Sequence, residues 1–129
     1  MEVLLITSRD TRRWIIPKGN TEPGKTAIEA AKQEAYEEAG LRGTVAGELP
    51  LGFYMYFKTR SDGSQIPTSV EVYLLRADKQ LKKWPEKGQR DLRWFPLADA
   101  IRTIEEPGVV PLLNRLAELE DELAGARQH

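Results

Sequence analysis

The chain has 129 residues, 40% of them hydrophobic, and a formal net charge of −1, enough apolar material for one domain with its own core (1–129) and no basic excess for a nucleic acid polymer. It contains no cysteine, which excludes a disulfide framework, a zinc–thiolate site and a cysteine nucleophile, and suits a reducing, cytoplasmic setting. No apolar run approaches the roughly 20 residues that span a bilayer, and the only histidine, His129, ends the chain, so serine–histidine and cysteine–histidine mechanisms are excluded.

In chain order, Glu2 to Ser8 (EVLLITS) reads as a buried strand. Its VLLI run has no basic flank and does not read as a signal peptide. Arg9, Arg12 and Arg13 occupy the polar loop that follows, before Trp14-Ile15-Ile16. The chain then enters the stretch around which the rest is organised, Pro17 to Leu41 (PKGNTEPGKTAIEAAKQEAYEEAGL). It reads as a Gly/Pro-rich loop running into a capped helix. Thr26 is placed to cap the first turn, Glu29 to close a capping box three residues later, and Gly40 to end the helix in a left-handed conformation.

At about 100° per residue, Ala27, Ile28, Ala31, Ala35 and Ala39 form an apolar, mostly alanine stripe suited to close packing on a sheet. Glu34, Glu37 and Glu38 share an adjoining arc. Carboxylates at i, i+3 and i+4 repel one another unless a cation sits among them. Hard cations such as Mg²⁺ take oxygen ligands, including carboxylates and backbone carbonyls. The competing reading is a solvated glutamate face.

The whole stretch resembles the Nudix box, G-x5-E-x7-R-E-U-x-E-E-x-G-U, where U is a bulky apolar residue. Gly19 falls on its first position, and Glu34, Glu37, Glu38, Gly40 and Leu41 on its later ones. The chain is therefore identified as a member of the Nudix family, nearest its diphosphoinositol-polyphosphate and dinucleoside-polyphosphate phosphohydrolase branch. Three positions depart from the pattern: Lys25 stands for the first box glutamate, Gln33 for the box arginine and Ala35 for the first bulky residue. In the family that glutamate and arginine brace loop against helix. A Lys25–Gln33 contact is the corresponding expectation here.

The resemblance implies an α/β fold, an α/β/α sandwich with a mixed sheet. Family members carry a further strand before the one at Glu2. Either the true start lies upstream or this version dispenses with that strand, leaving a sheet edge open to a partner. For the strand-end Arg9, the resemblance implies phosphate contact. For Lys18 it implies a backbone carbonyl facing the metal and an ammonium available to phosphate.

After the helix, Thr44–Glu48 and Gly52–Lys58 read as strands, the second alternating Phe53, Met55 and Phe57 with Tyr54 and Tyr56, either set being the core face. Ser61-Asp62-Gly63-Ser64 supplies turn chemistry. Val70–Arg76 reads as the next strand, with Glu71 exposed on it. Lys79 to Arg93 is loop-like and basic and resembles the family's variable loop over the site, leading to a strand at Leu92-Arg93-Trp94-Phe95. Glu86 is its candidate extra metal ligand or base. Lys82, Lys83, Lys87 and Arg90 read either as a polyphosphate-facing rim, with Arg90 contacting substrate, or as ordinary surface charge. Pro96 suits the start of a helix over Leu97–Ile104. A longer helix over Val109–Ala124 follows, whose Leu112, Leu116, Leu119 and Leu123 form a stripe for packing on the domain or, alternatively, for a dimer contact.

The implied activity is hydrolysis of a phosphoanhydride bond in a nucleoside-diphosphate-X, dinucleoside polyphosphate or diphosphoinositol polyphosphate, with Mg²⁺ or Mn²⁺. The metal set implied is Glu34, Glu37 and Glu38 with the Lys18 carbonyl. Glu38 is favoured as the indispensable ligand, and Glu34 or Glu37 as the base. The partner expected is a small molecule, acted on by a monomer or homodimer. The alternative is a catalytically impaired Nudix-fold module that binds a nucleotide or polyphosphate without turning it over.

Overall fold

The structure, a computed structural model, describes residues 1–19 and 23–127, with side chains described through Glu122. Leu123 of the leucine stripe and His129 lie outside those described side chains. Strand β1 (Glu2–Thr7) lies between β2 (Trp14–Ile15) and β7 (Leu92–Pro96), antiparallel to both. Helix α1 (Ala27–Ala39) leads directly into β3 (Leu41–Val45), which pairs with β6 (Leu75–Gln80). Between them β4 (Gly52–Thr59) and β5 (Gln65–Val72) form a regular hairpin. Helices α2 (Leu97–Thr103) and α3 (Val110–Arg127) complete the chain, joined across a 3₁₀ turn at Pro107–Val109.

Alternation along β1 builds the layers, because successive strand side chains point to opposite faces. Leu4 and Ile6 pack with Ala35, Ala39 and Leu41 on the α1 side. Leu5 packs the other way, with Phe95, Ala100, Val109, Leu112 and Leu116. Helix α1 therefore covers one side of β1 and α2–α3 the other, the α/β/α arrangement expected. Leu5 and Ile6 are fully buried, each worth roughly 1.5–3 kcal/mol in apolar burial.

Several expectations need correction. Every described strand pairing is antiparallel, where a mixed sheet was expected. Parallel pairing needs a long crossover, and the helical crossover through α1 delivers β3 to β6 instead of to β1. Strand β1 is not an open edge, since it is paired on both sides. The strand expected at Thr44–Glu48 begins at Leu41, immediately after the Gly40 turn, and the single strand expected over Val70–Arg76 is broken at Tyr73–Leu74 into β5 and β6. On β4 the tyrosines face inward: Tyr54 is buried while Phe53, Met55 and Phe57 stand exposed. The α3 stripe packs through Leu112 and Leu116 and turns outward at Leu119.

Candidate active site

Helix α1 is set by its ends. The Thr26 hydroxyl accepts the Glu29 N–H at 3.1 Å, and Gly40 closes the helix at φ 67° with its N–H on the Tyr36 carbonyl. Gly19, in the loop before the helix, lies so close to Glu34 that a Cβ there would overlap the carboxylate. The loop is thereby pressed against the acidic face, and only a glycine permits the approach.

Glu38 is the buried member of the acidic set, with a side chain 7% exposed. Its Oε2 accepts the Lys18 N–H at 3.0 Å, and its Oε1 accepts from Arg90 Nη2 at 3.1 Å. Burial pushes its pKa up from 4.5 to about 7; Arg90 and the Lys18 N–H oppose the rise, while the neighbouring Glu34 and Glu86 add to it. Glu37 is held differently, its Oε1 accepting from Gln33 Nε2 at 2.8 Å. Gln33 thus supports a carboxylate of its own helix. Lys25 lines, with Gln33, the groove beside that helix.

The loop between β6 and β7 is sewn onto the end of α1. Leu81 N–H donates to the Gly40 carbonyl at 2.8 Å and Glu86 N–H to the Glu37 carbonyl at 3.0 Å, satisfying helix-end acceptors. The Trp84 ring covers Gly40 so closely that a Cβ there would overlap it. At the far end of the loop, Thr7 receives the chain: its N–H donates to the Asp91 carbonyl at 3.0 Å and its hydroxyl accepts the Asp91 N–H at 2.9 Å.

These anchors decide where the basic residues lie. Arg90 is buried, its side chain 7% exposed, so it does not stand on a solvent-facing rim with Lys82, Lys83 and Lys87, which are exposed. The anchoring of both loop ends draws its guanidinium inward. Arg9 is 55% exposed and meets the same loop, donating from Nη1 to Gln89 Oε1 at 3.0 Å, with Nε 3.7 Å from Glu86 Oε1. Lys18 turns its ammonium away from Glu38, pairing it with Glu106 over the Tyr56 ring, 4.8 Å from the centroid.

Glu106 has no counterpart in the sequence reading. It is buried and accepts from Ile16 N–H at 3.0 Å, from the Tyr54 hydroxyl at 2.7 Å and from Lys18 Nζ. Burial, then the charge and hydrogen bond of Glu106, raise the Tyr54 pKa further above its ordinary value. With Lys18, Tyr54 and Tyr56, Glu106 lines a cavity of about 330 Å³. Two glutamates before Pro107-Gly108 were the visible signal, but no local spacing announces that one of them reaches across to β4.

Among the described residues, no three acidic or histidine side chains converge as a ready-made metal cluster. The donor chemistry nevertheless fits a hard cation. Glu34 is held against the loop at Gly19, and its charge, with that of Glu86, acts on buried Glu38. These are oxygen donors whose mutual repulsion a hard divalent cation would relieve.

Comparisons with known proteins bear on the family and the fold. A model of the NUDIX domain matches residues 1–116. "Nudix hydrolase 12, mitochondrial" of Arabidopsis thaliana is 34% identical over 107 residues, covering 78% of this chain and 51% of that protein. "Diphosphoinositol polyphosphate phosphohydrolase 3-beta" of Homo sapiens is 36% identical over 107 residues, covering 81% and 60% respectively. The chain thus spans about half to three-fifths of the length of these curated relatives. A C. elegans Ap4A hydrolase binary complex shares the fold, with a TM-score of 0.65 at 24% identity over 96% of this chain and 87% of that one.

Proposed function

The chain belongs to the NUDIX family, and from that premise we propose that it is a metal-dependent hydrolase of phosphoanhydride bonds in highly charged small molecules such as dinucleoside or diphosphoinositol polyphosphates. The observation that carries this reading is buried Glu38, fixed by the Lys18 N–H and Arg90 and flanked electrostatically by Glu34 and Glu86. A carboxylate sunk among other carboxylates is costly as packing and useful as a cation site.

Glu34 and Glu38, with the Lys18 carbonyl, would hold Mg²⁺ or Mn²⁺. The ion would supply positive charge against the phosphoryl oxygens. Glu34 takes the proton of the attacking water at a carboxylate oxygen. That water forms a new P–O bond as the bridging P–O bond breaks, and the second phosphate group leaves with the bridging oxygen. Glu37 is the less suited base, because its Oε1 is already bonded to Gln33. Exposed Arg9, Lys82 and Lys83 offer cations to the substrate's outer phosphates.

The test is phosphate or pyrophosphate release from diadenosine polyphosphates, nucleoside triphosphates, ADP-ribose and diphosphoinositol phosphates, with Mg²⁺ and with Mn²⁺. Metal-dependent release that Glu38→Gln abolishes is the expected result. A second reading, a module that binds such a compound without cleaving it, is favoured by Lys25 and Gln33, which stand where the box carries a glutamate and an arginine. Saturable binding of a panel member without release would select it.

A further inference from the structure

Resting on the hydrolase reading, we propose that Arg90 is a positioning residue that fixes Glu38 of the helix and Glu86 of the covering loop in one frame, and that it does not bind substrate. The guanidinium makes three directed contacts to three parts of the fold. Nη2 donates to Glu38 Oε1 at 3.1 Å, Nε to Glu86 Oε1 at 3.0 Å, and Nη1 to the Thr7 carbonyl at the end of β1 at 3.1 Å. Its side chain is 7% exposed and Glu38's is equally buried, so little of the guanidinium remains to meet a phosphate.

The chemistry requires arginine at this place. A planar guanidinium presents donors at fixed angles, whereas a lysine ammonium is a compact charge on a flexible stem. Buried Glu38 and the partly exposed Glu86, side chain 19% exposed, would otherwise part as like charges. Glu86 is also tethered through its own N–H to the Glu37 carbonyl, so Arg90 closes a ring running from helix to loop and back. The Thr7 carbonyl fixes that ring to the central strand. Arg90 therefore sets the separation and tilt of Glu38 relative to whatever the loop brings to the site.

The experiment compares wild type with Arg90→Lys, which keeps the charge and loses the directed geometry. Steady-state kinetics on the best panel substrate are paired with Mn²⁺ titration followed by the EPR signal of the free ion. We expect kcat to fall 10- to 100-fold with substrate KM within about threefold, and Mn²⁺ binding to weaken 3- to 10-fold. A raised KM at unchanged kcat would make Arg90 a substrate ligand and overturn the proposal, as would unchanged kcat and Mn²⁺ affinity together. If wild type releases nothing from any panel member, the hydrolase reading falls. The Mn²⁺ titration then decides alone: weaker binding upholds the positioning role and equal binding overturns it. Should Arg90→Lys fail to fold, Glu86→Gln removes one member of the ring, and an unchanged kcat and Mn²⁺ affinity there count against the proposal.

Discussion

Glu38 links folding stability to pH in a direction opposite to that of most carboxylates. Its pKa is about 7 in the folded, ion-free protein against an ordinary 4.5, so between those values the folded state holds a proton that the unfolded chain has released. Stability must then fall as pH rises from 4.5 through 7. At about 1.4 kcal/mol per tenfold change in proton affinity, the full loss is about 3 kcal/mol. Some of it has occurred by pH 5, leaving a decline of about 2–3 kcal/mol between pH 5 and pH 8. Glu38→Gln has no such proton. Urea unfolding of both proteins in chelator, at several pH values across that range, isolates the effect: the stability difference, wild type minus variant, should drop by about 2–3 kcal/mol. Added Mg²⁺ should restore wild-type stability increasingly at high pH, because the cation replaces the proton. Stability curves that run parallel across the range in chelator would show that Glu38 ionises as an ordinary carboxylate, and the electrostatic account of the site would fail.

Two further perturbations test the scaffold. Gly40→Ala should destabilise by about 2–4 kcal/mol, from the left-handed φ of 67° and the overlap with Trp84 combined; a urea midpoint within error of wild type would contradict it. Tyr54→Phe removes the hydroxyl donor to buried Glu106 and should cost about 1.5–3 kcal/mol, as loss of a hydrogen bond to a charged group does. Thermal unfolding checks this, and an unchanged Tm would mean that Lys18 and the Ile16 N–H suffice for Glu106.

Helix α1 was legible because its information is local. Thr26, Glu29, Gly40 and the alanine stripe act within a few residues, and the structure places the ends of the helix where those residues put them. Strand β1 was legible for the same reason, as a short apolar run. The orientation of β4 was not, since aromatic or large apolar residues occupy both faces. What turns Tyr54 inward is a buried partner for its hydroxyl, Glu106, which lies 52 residues away. Arg90 shows the limit most clearly. In sequence it is one of several cations in a basic loop, and only closure of that loop on Gly40 and Thr7 separates it from exposed Lys82 and Lys83. Glu106 was missed altogether, because its three donors come from distant segments.

The two clamps on the β6–β7 loop, one at the end of α1 and one at Thr7, divide the loop into fixed and replaceable positions. Trp84, Glu86 and Arg90 are spoken for by the scaffold, Gly88 by its left-handed φ of 86° and Gln89 by its bond to Arg9, while Lys82, Lys83, Pro85 and Lys87 face outward. Variation can therefore accumulate on one side of this segment without disturbing the other, as in a cassette whose mounting pins are standard and whose face is not. Grafting the outward positions of a related loop between the same pins is accordingly a route to exchanging ligand preference while leaving the acidic centre in place.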